Sequence, residues 1–205
     1  MASADRPYLI IDDFLPEEAW GDVWSFFQFA DLAPVSRTRG AWKLDDGVPL
    51  GSDEIITPPR EAELVHDPER PGLFPSETAL DHVVAGLLGD AATLEGLVGS
   101  DWAHVTARAY VYPRGSALSW HGDDHELYSG AYIYYAHPHW NAHWGGELLV
   151  GDEPDEQGEQ DALPIMGHRF DNETYSAALM EKGTGHFIAP KPNRLVVLGL
   201  SLIHI

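Results

Sequence analysis

A chain of 205 residues is long enough for one domain with a continuous core, and its 33 acidic against 12 basic residues give a formal net charge of −21. A surface of that sign repels phosphate backbones and anionic lipids, which disfavours nucleic-acid and membrane partners. No stretch approaches the ~18 consecutive apolar residues of a membrane span. The first residues lack a basic-then-apolar export signal, so a cytoplasmic protein is expected. Cysteine is absent, so disulfides and thiolate chemistry are excluded and any metal is left to His, Asp or Glu.

In chain order, Tyr8 to Ile11 reads as a short buried strand. Asp13 lies in an N-cap region, and Pro16, Glu17 and Glu18 suit the first turn of a helix running to about Ala30. Trp20, Val23, Trp24 and Phe27 form its apolar stripe. From Pro34 to Pro75 proline, glycine and charge dominate, and loops with one or two short strands are expected. Glu77 to Val98 reads as helical, with Leu80, Val83, Val84 and Leu87 buried and a break near Gly89.

After Ser100 the period becomes alternating. His104, Thr106, Arg108, Tyr110 and Tyr112 share one face of a strand; Val105, Ala107, Ala109 and Val111 share the other. Gly130 to Ala136, Gly146 to Val150 and Arg194 to Leu198 read as further strands, and the acidic run Gly151 to Asp161 as a loop or lid. Helices first and strands after argue for an α+β chain. Its first hundred residues would be helical support and loops, and residues 101–205 an antiparallel double-sheet jelly roll.

The densest set of potential ligands is Ser119-Trp120-His121-Gly122-Asp123-Asp124-His125. A His-x-Asp pair at a strand end aims an imidazole and a carboxylate at one point. A second imidazole from a distant strand would complete a 2-His-1-carboxylate triad with three open positions. The tripeptide alone has little specificity.

Its surroundings add more. Arg108-Ala109-Tyr110-Val111-Tyr112-Pro113-Arg114-Gly115 precedes it, and Ile133-Tyr134-Tyr135-Ala136-His137-Pro138-His139-Trp140 follows. Then come Gly145-Gly146-Glu147-Leu148 and Pro190-Lys191-Pro192-Asn193-Arg194-Leu195. In that order these segments resemble the prolyl-4-hydroxylase-like branch of the Fe(II)/2-oxoglutarate oxygenases, over roughly residues 8–30 and 103–198. The segment Ile133 to Trp140 is similar to that family's Tyr-Leu-Asn-x-x-Trp.

The resemblance implies a double-stranded β-helix with N-terminal helices packed on it, in one domain spanning residues 1–205. It implies Fe(II), 2-oxoglutarate as co-substrate and ascorbate as a reductant. The metal ligands would be His121 and Asp123, with His204 at the place of the distal histidine, and Tyr112 and Tyr135 would line the co-substrate pocket. The reaction would be hydroxylation of an unactivated C–H bond, because Asp123 fills the position that related halogenases leave open for halide. An amino acid or other small molecule is the expected substrate, with the acidic surface favouring a cationic one.

Other histidines fit less well. His137, His139 and His143 suggest a cupin-like metal enzyme, but Glu147 comes eight residues after His139 instead of four or five. His137 is expected to line the pocket and the other two to be exposed. His125 has no strand to fix it, and His186 precedes the Pro-Lys segment, out of place for a distal ligand.

The C-terminus departs from the family. The last strand and the Arg or Lys that would clamp 2-oxoglutarate are missing, and Arg194 belongs to the preceding strand. Leu200-Ser201-Leu202-Ile203-His204-Ile205 also matches one reading frame of a transposase adapter, so these six residues are expected to be adapter-derived. Weak iron retention and an unpaired sheet edge would follow. An inactive jelly-roll binding module is the remaining alternative.

Overall fold

The structure is a computed structural model and describes residues 7–35, 45–58, 73–118, 120–122, 128–152, 181, 183–199 and 202–204. The chain is of mixed α and β type, with three helices and several antiparallel sheets among the described residues. Strand β1 (Tyr8–Ile11) leads into helix α1 (Glu17–Phe29). The short strands β2 (Ala33–Pro34), β3 (Asp45–Asp46), β4 (Leu50–Gly51) and β5 (Ile55–Ile56) follow. Helices α2 (Leu80–Gly89) and α3 (Ala91–Val98) come next, divided at Asp90, one residue beyond the break expected at Gly89.

The second half carries β6 (Thr106–Ala107), β7 (Tyr110–Val111), β8 (Ala117–Leu118), β9 (His121–Gly122) and β10 (Ala131–Tyr135). It continues with β11 (Leu148–Gly151), β12 (Gly185–Ile188), β13 (Arg194–Leu198) and β14 (Leu202–His204). Strands β12 and β14 have no counterpart in the sequence reading. The strand expected from His104 to Tyr112 is present as two short ladders, because its partner changes from β5 to β4 near Ala109. Ser52 bridges the change: its Oγ accepts from the Ala109 N–H at 3.0 Å, and its carbonyl accepts from Arg108 Nε at 2.7 Å.

Two sheets and the helices form three layers. One sheet has the order β1-β13-β10 and the other β12-β11-β14-β9. On one face of the first, Leu195, Val197 and Ala136 pack with Leu15 and Val23, and with Val83, Leu87 and Leu94 of α2 and α3. On its other face, Val196 and Leu198 meet Leu148, Val150 and Ile188 of the second sheet, flanked by Tyr8, Ile10, Ile133 and Tyr135. All five residues of β13 are buried, which is why its sequence reads as an unbroken apolar run after Arg194. Among the described residues β10 is hydrogen-bonded to β13 alone and forms the edge of its sheet.

The apolar stripe expected on α1 is present, with Val23 fully buried and Trp20 and Phe27 packed beside it. Trp20 also donates its indole N–H to the Ala136 carbonyl at 2.9 Å. The helix cap differs from expectation. Pro16 occupies the N-cap without a side-chain cap, and Asp13 sits in the preceding turn at φ 53°. Proline's fixed φ suits the start of a helix, so a capping side chain is not required. Gly130 has a tight steric role: a Cβ there would strike the Val98 side chain and the Leu198 carbonyl.

Asn193 ties the first sheet to the turn before α1. Its Oδ1 accepts from the Leu15 N–H at 3.0 Å and the Tyr134 hydroxyl at 2.8 Å, while Nδ2 donates to the Leu15 carbonyl at 2.8 Å. Its backbone carbonyl accepts from Phe14 N–H, and its own N–H donates to the Tyr135 carbonyl. It holds φ 54°, a left-handed conformation that asparagine tolerates better than most residues. Asn193→Ala is therefore expected to cost about 3 kcal/mol in urea denaturation, since it strands several buried polar groups. Asn193→Gly should recover roughly 1 kcal/mol of that by relieving the backbone, and Tyr134→Phe should cost about 1 kcal/mol. Equal stability of all three variants would contradict the role assigned to Asn193.

Candidate active site

Directly paired residues of a sheet share a face. Val150 pairs with His186 on one side and Ile203 on the other, and Ile203 pairs with His121. One row thus crosses the second sheet as His186, Val150, Ile203 and His121. Val150 is fully buried between the sheets. His204 pairs instead with Leu149, which pairs with the exposed Phe187 in the neighbouring row. His121 and His204 are therefore on adjacent strands, one position out of step. Asp123 and His125, and most of the acidic run after Asp152, lie outside the described residues.

Across the gap stands Tyr135 of β10. That strand carries three tyrosines, Tyr132, Tyr134 and Tyr135, and burial raises the pKa of all three, so each is a neutral hydroxyl donor. Tyr132 gives its hydrogen to the Thr106 carbonyl at 2.9 Å, and Tyr134 gives its to Asn193. Both project toward the helix layer. Tyr135 projects between the sheets, and its buried hydroxyl has no hydrogen-bond partner. At that hydroxyl the positive charge of Arg194 acts more strongly than the negative charge of Glu147.

His137 continues the same side of the strand. Ala136 between them packs toward the helices, and the rings of Tyr135 and His137 meet edge-on with centroids 6.0 Å apart. Both His137 ring nitrogens are buried and make no well-formed hydrogen bond. Burial lowers its pKa, while the nearby backbone of His139 and Pro190 pulls weakly the other way, so the ring is neutral at neutral pH. His139 and His143 are exposed, as expected, and His139 stacks edge-on against Trp144 at 5.1 Å. Gly145 and Gly146 both take positive φ, consistent with a backbone role.

Tyr112 lies on the face of Arg108 and Tyr110, opposite Ala107 and Ala109, which pack with Leu80 and Val84 of α2. Its ring is tilted against Tyr110 at 6.1 Å, and Arg108 sits 5.3 Å over the Tyr110 ring. His186 is engaged elsewhere: Nδ1 meets the Tyr8 hydroxyl at 3.3 Å, and Nε2 lies 3.8 Å from Asp152. Among the described residues no three His, Asp or Glu side chains converge on a metal-sized site. His137, His139, His143 and Glu147 are all described, so they do not form the cupin set.

Arg194 is not free to clamp a ligand. It forks onto Asp12, with Nε to Oδ1 at 2.5 Å and Nη2 to Oδ2 at 2.9 Å, and Nη1 donates to the Ala189 carbonyl. The sequence reading missed this pair, because Asp12 and Arg194 lie 182 residues apart.

No protein-family model matches the chain, and no curated protein aligns with it. A solved structure of a Pseudomonas putida prolyl-4-hydroxylase does superpose, with a TM-score of 0.55 over 98% of this chain and 84% of that one. At 16% identity the likeness is one of fold. No helix among the described residues is long and apolar enough to cross a membrane.

Two predictions follow from these side chains. Hydrogen bonds from Arg194 hold the Asp12 carboxyl below its ordinary pKa, helped by the charges of Arg194 and Lys191 against the opposing effect of burial. A depressed folded-state pKa contributes stability above the unfolded value near 3.8 that is lost as pH falls through the folded value. Asp12→Asn should lower stability at neutral pH and flatten the acid limb of the stability curve; an unchanged acid limb would contradict the pairing. Tyr135→Phe removes an unsatisfied buried hydroxyl, so the ligand-free protein should melt no lower than wild type, with a gain of up to about 1 kcal/mol.

Proposed function

We propose that this chain is an Fe(II)- and 2-oxoglutarate-dependent dioxygenase built on a jelly roll, hydroxylating an unactivated C–H bond of a small molecule. The observation that carries the reading is the pairing of opposites across one gap. Strand β9, which carries His121, belongs to the second sheet, and the Tyr135 hydroxyl, buried without a hydrogen-bond partner, projects from the first sheet into the space between the two. The fold likeness to a prolyl-4-hydroxylase supports it.

The donor set fits the group. An imidazole and a carboxylate two residues apart suit Fe(II), and a buried neutral hydroxyl suits a carboxylate of the co-substrate. His121 and Asp123 would hold the iron. His204, on the strand beside β9, would be the third ligand. Tyr112 and Tyr135 would line the co-substrate pocket. Iron with 2-oxoglutarate and dioxygen supplies the oxidising power for hydroxylation. The protein's share is to orient the substrate, to donate a hydrogen bond from the Tyr135 hydroxyl to a bound carboxylate and to exclude water with the apolar wall of Leu148, Val150, Ile188 and Val196.

Asp123→Ala and His121→Ala are each expected to abolish iron-dependent decarboxylation of 2-oxoglutarate, a loss of at least ~100-fold, while the thermal melt shifts little. His204→Ala should do the same if it is the third ligand, and unaltered turnover would remove it from the set. Absence of iron-dependent turnover in the intact protein would exclude this chemistry and leave a binding module as the better reading, and full turnover in Asp123→Ala would remove Asp123 from the ligand set.

A further inference from the structure

Lys191 and Arg194 are both engaged by Asp12, whereas Arg108 is held in place without a carboxylate. Its Nε–H donates to the Ser52 carbonyl at 2.7 Å, and its guanidinium lies over the Tyr110 ring, 5.3 Å from the centroid. Gly51 makes room for it: a Cβ there would come within 3.2 Å of Arg108 Nε and 3.3 Å of Nη2. Asp53 and Glu54 follow Ser52 in the chain, yet among the described residues no carboxylate forms an ion pair with Arg108. In a chain with 33 acidic residues, an arginine fixed in this way calls for an anion from outside. We propose that Arg108 binds the carboxylate of a small-molecule substrate through its two terminal amino groups, with the Tyr110 ring as an apolar flank. The assignment of that anion as substrate rests on the oxygenase reading; the binding site itself rests on the contacts of Arg108.

With Nε committed to Ser52, the guanidinium still presents the end-on fork of Nη1 and Nη2. That planar pair of donors matches the two oxygens of a carboxylate. Contacts to Ser52, Gly51 and Tyr110 already restrict the side chain, so binding loses less rotamer freedom than at a freely solvated arginine. Tyr110 is 42% exposed, which leaves part of its surface open to the body of a ligand.

The position of the fork decides which carboxylate it takes. Arg108, Tyr110 and Tyr112 run in one row, with Arg108 over Tyr110 and Tyr110 tilted against Tyr112 at 6.1 Å. The row lies opposite Ala107 and Ala109, which are buried with Leu80 and Val84 of α2, so it looks away from the helix layer. Tyr112 is the end that the oxygenase reading gives to the co-substrate. Arg108, at the other end, is left for a second carboxylate, that of the substrate. The net charge of −21 favours a cation at a distance, but that field is screened beyond about 8 Å at physiological salt. At contact, Arg108 selects a carboxylate. A zwitterionic amino acid satisfies both.

Benzoate is the probe, because it carries a carboxylate and a ring but no keto group to chelate iron; benzamide is its uncharged counterpart. Titrated into the metal-free full chain and followed by the ligand's own resonances, benzoate should bind roughly ten-fold more tightly than benzamide. Arg108→Gln should abolish that preference, and Arg108→Lys should keep part of it, as a point charge without the fork. Gly51→Ala should weaken benzoate about three-fold by displacing the guanidinium while its charge remains, a change to which a merely solvated surface arginine would not respond. Equal affinity for benzoate and benzamide, or a preference that survives Arg108→Gln, overturns the site.

Decarboxylation of 2-oxoglutarate by the iron-loaded protein, without added substrate, separates the two readings. Arg108→Gln should leave the KM for 2-oxoglutarate unaltered; a rise of about ten-fold would give Arg108 to the co-substrate and overturn its assignment to the substrate. Benzoate binding through Arg108 in a protein that decarboxylates nothing keeps the carboxylate site and removes the oxygenase reading.

Discussion

Strand β13 is covered on both faces, and the rest of the structure is organised by that fact. Leu195 and Val197 enter the helix-side core, Val196 and Leu198 enter the core between the sheets, and β1 and β10 take its two edges. A strand in this position can hold no unpaired polar group without cost. Its one charged residue, Arg194, is accordingly forked onto Asp12, and the asparagine before it spends its amide on Leu15 and Tyr134. The same two residues hold the turn that launches α1 against the sheet. Helix layer, first sheet and second sheet are thereby locked to one another through five consecutive buried side chains and the polar pair at their start.

Against that background of satisfied groups, the unsatisfied ones are informative. Two of the three tyrosines of β10 find acceptors on the helix side, where the structure is closed. The third faces the gap between the sheets, and its hydroxyl finds no partner there. The gap is bounded on its far side by the second sheet, to which β9 belongs. Among the described residues, the Tyr135 hydroxyl is thus left without a partner in the space between the two sheets. The exposed histidines His139 and His143 belong to the outer loop and share none of this character.

Much of the fold was legible in the sequence because burial writes a period into the chain. The stripe of α1, the buried face of α2 and the alternation around Ala107 and Ala109 were each readable from spacing alone, and each is found buried. Strand β12 was not, since Gly185-His186-Phe187-Ile188 alternates with an exposed phenylalanine and only one buried apolar residue. The N-cap was misread because Asp13 has the right side chain in the wrong turn. The ion pair of Asp12 with Arg194 left no local trace, as nothing in either neighbourhood names a partner at the other end of the chain.

For the site, the sequence supplied the residue types and their order, and these were enough to single out His121, Asp123, Tyr112, Tyr135 and His204. Composition and local spacing determine which chemistry is available and which elements form, because propensity and periodicity act over a few residues. Which donors face one another, and which are left without partners, was decided by the tertiary structure alone. Strand register is a contact between distant segments, and a shift of one residue moves every side chain of a strand to the other face. The partner of Arg194, the isolation of the Tyr135 hydroxyl and the burial of His137 likewise exist only once β1, β10, β11 and β13 have packed.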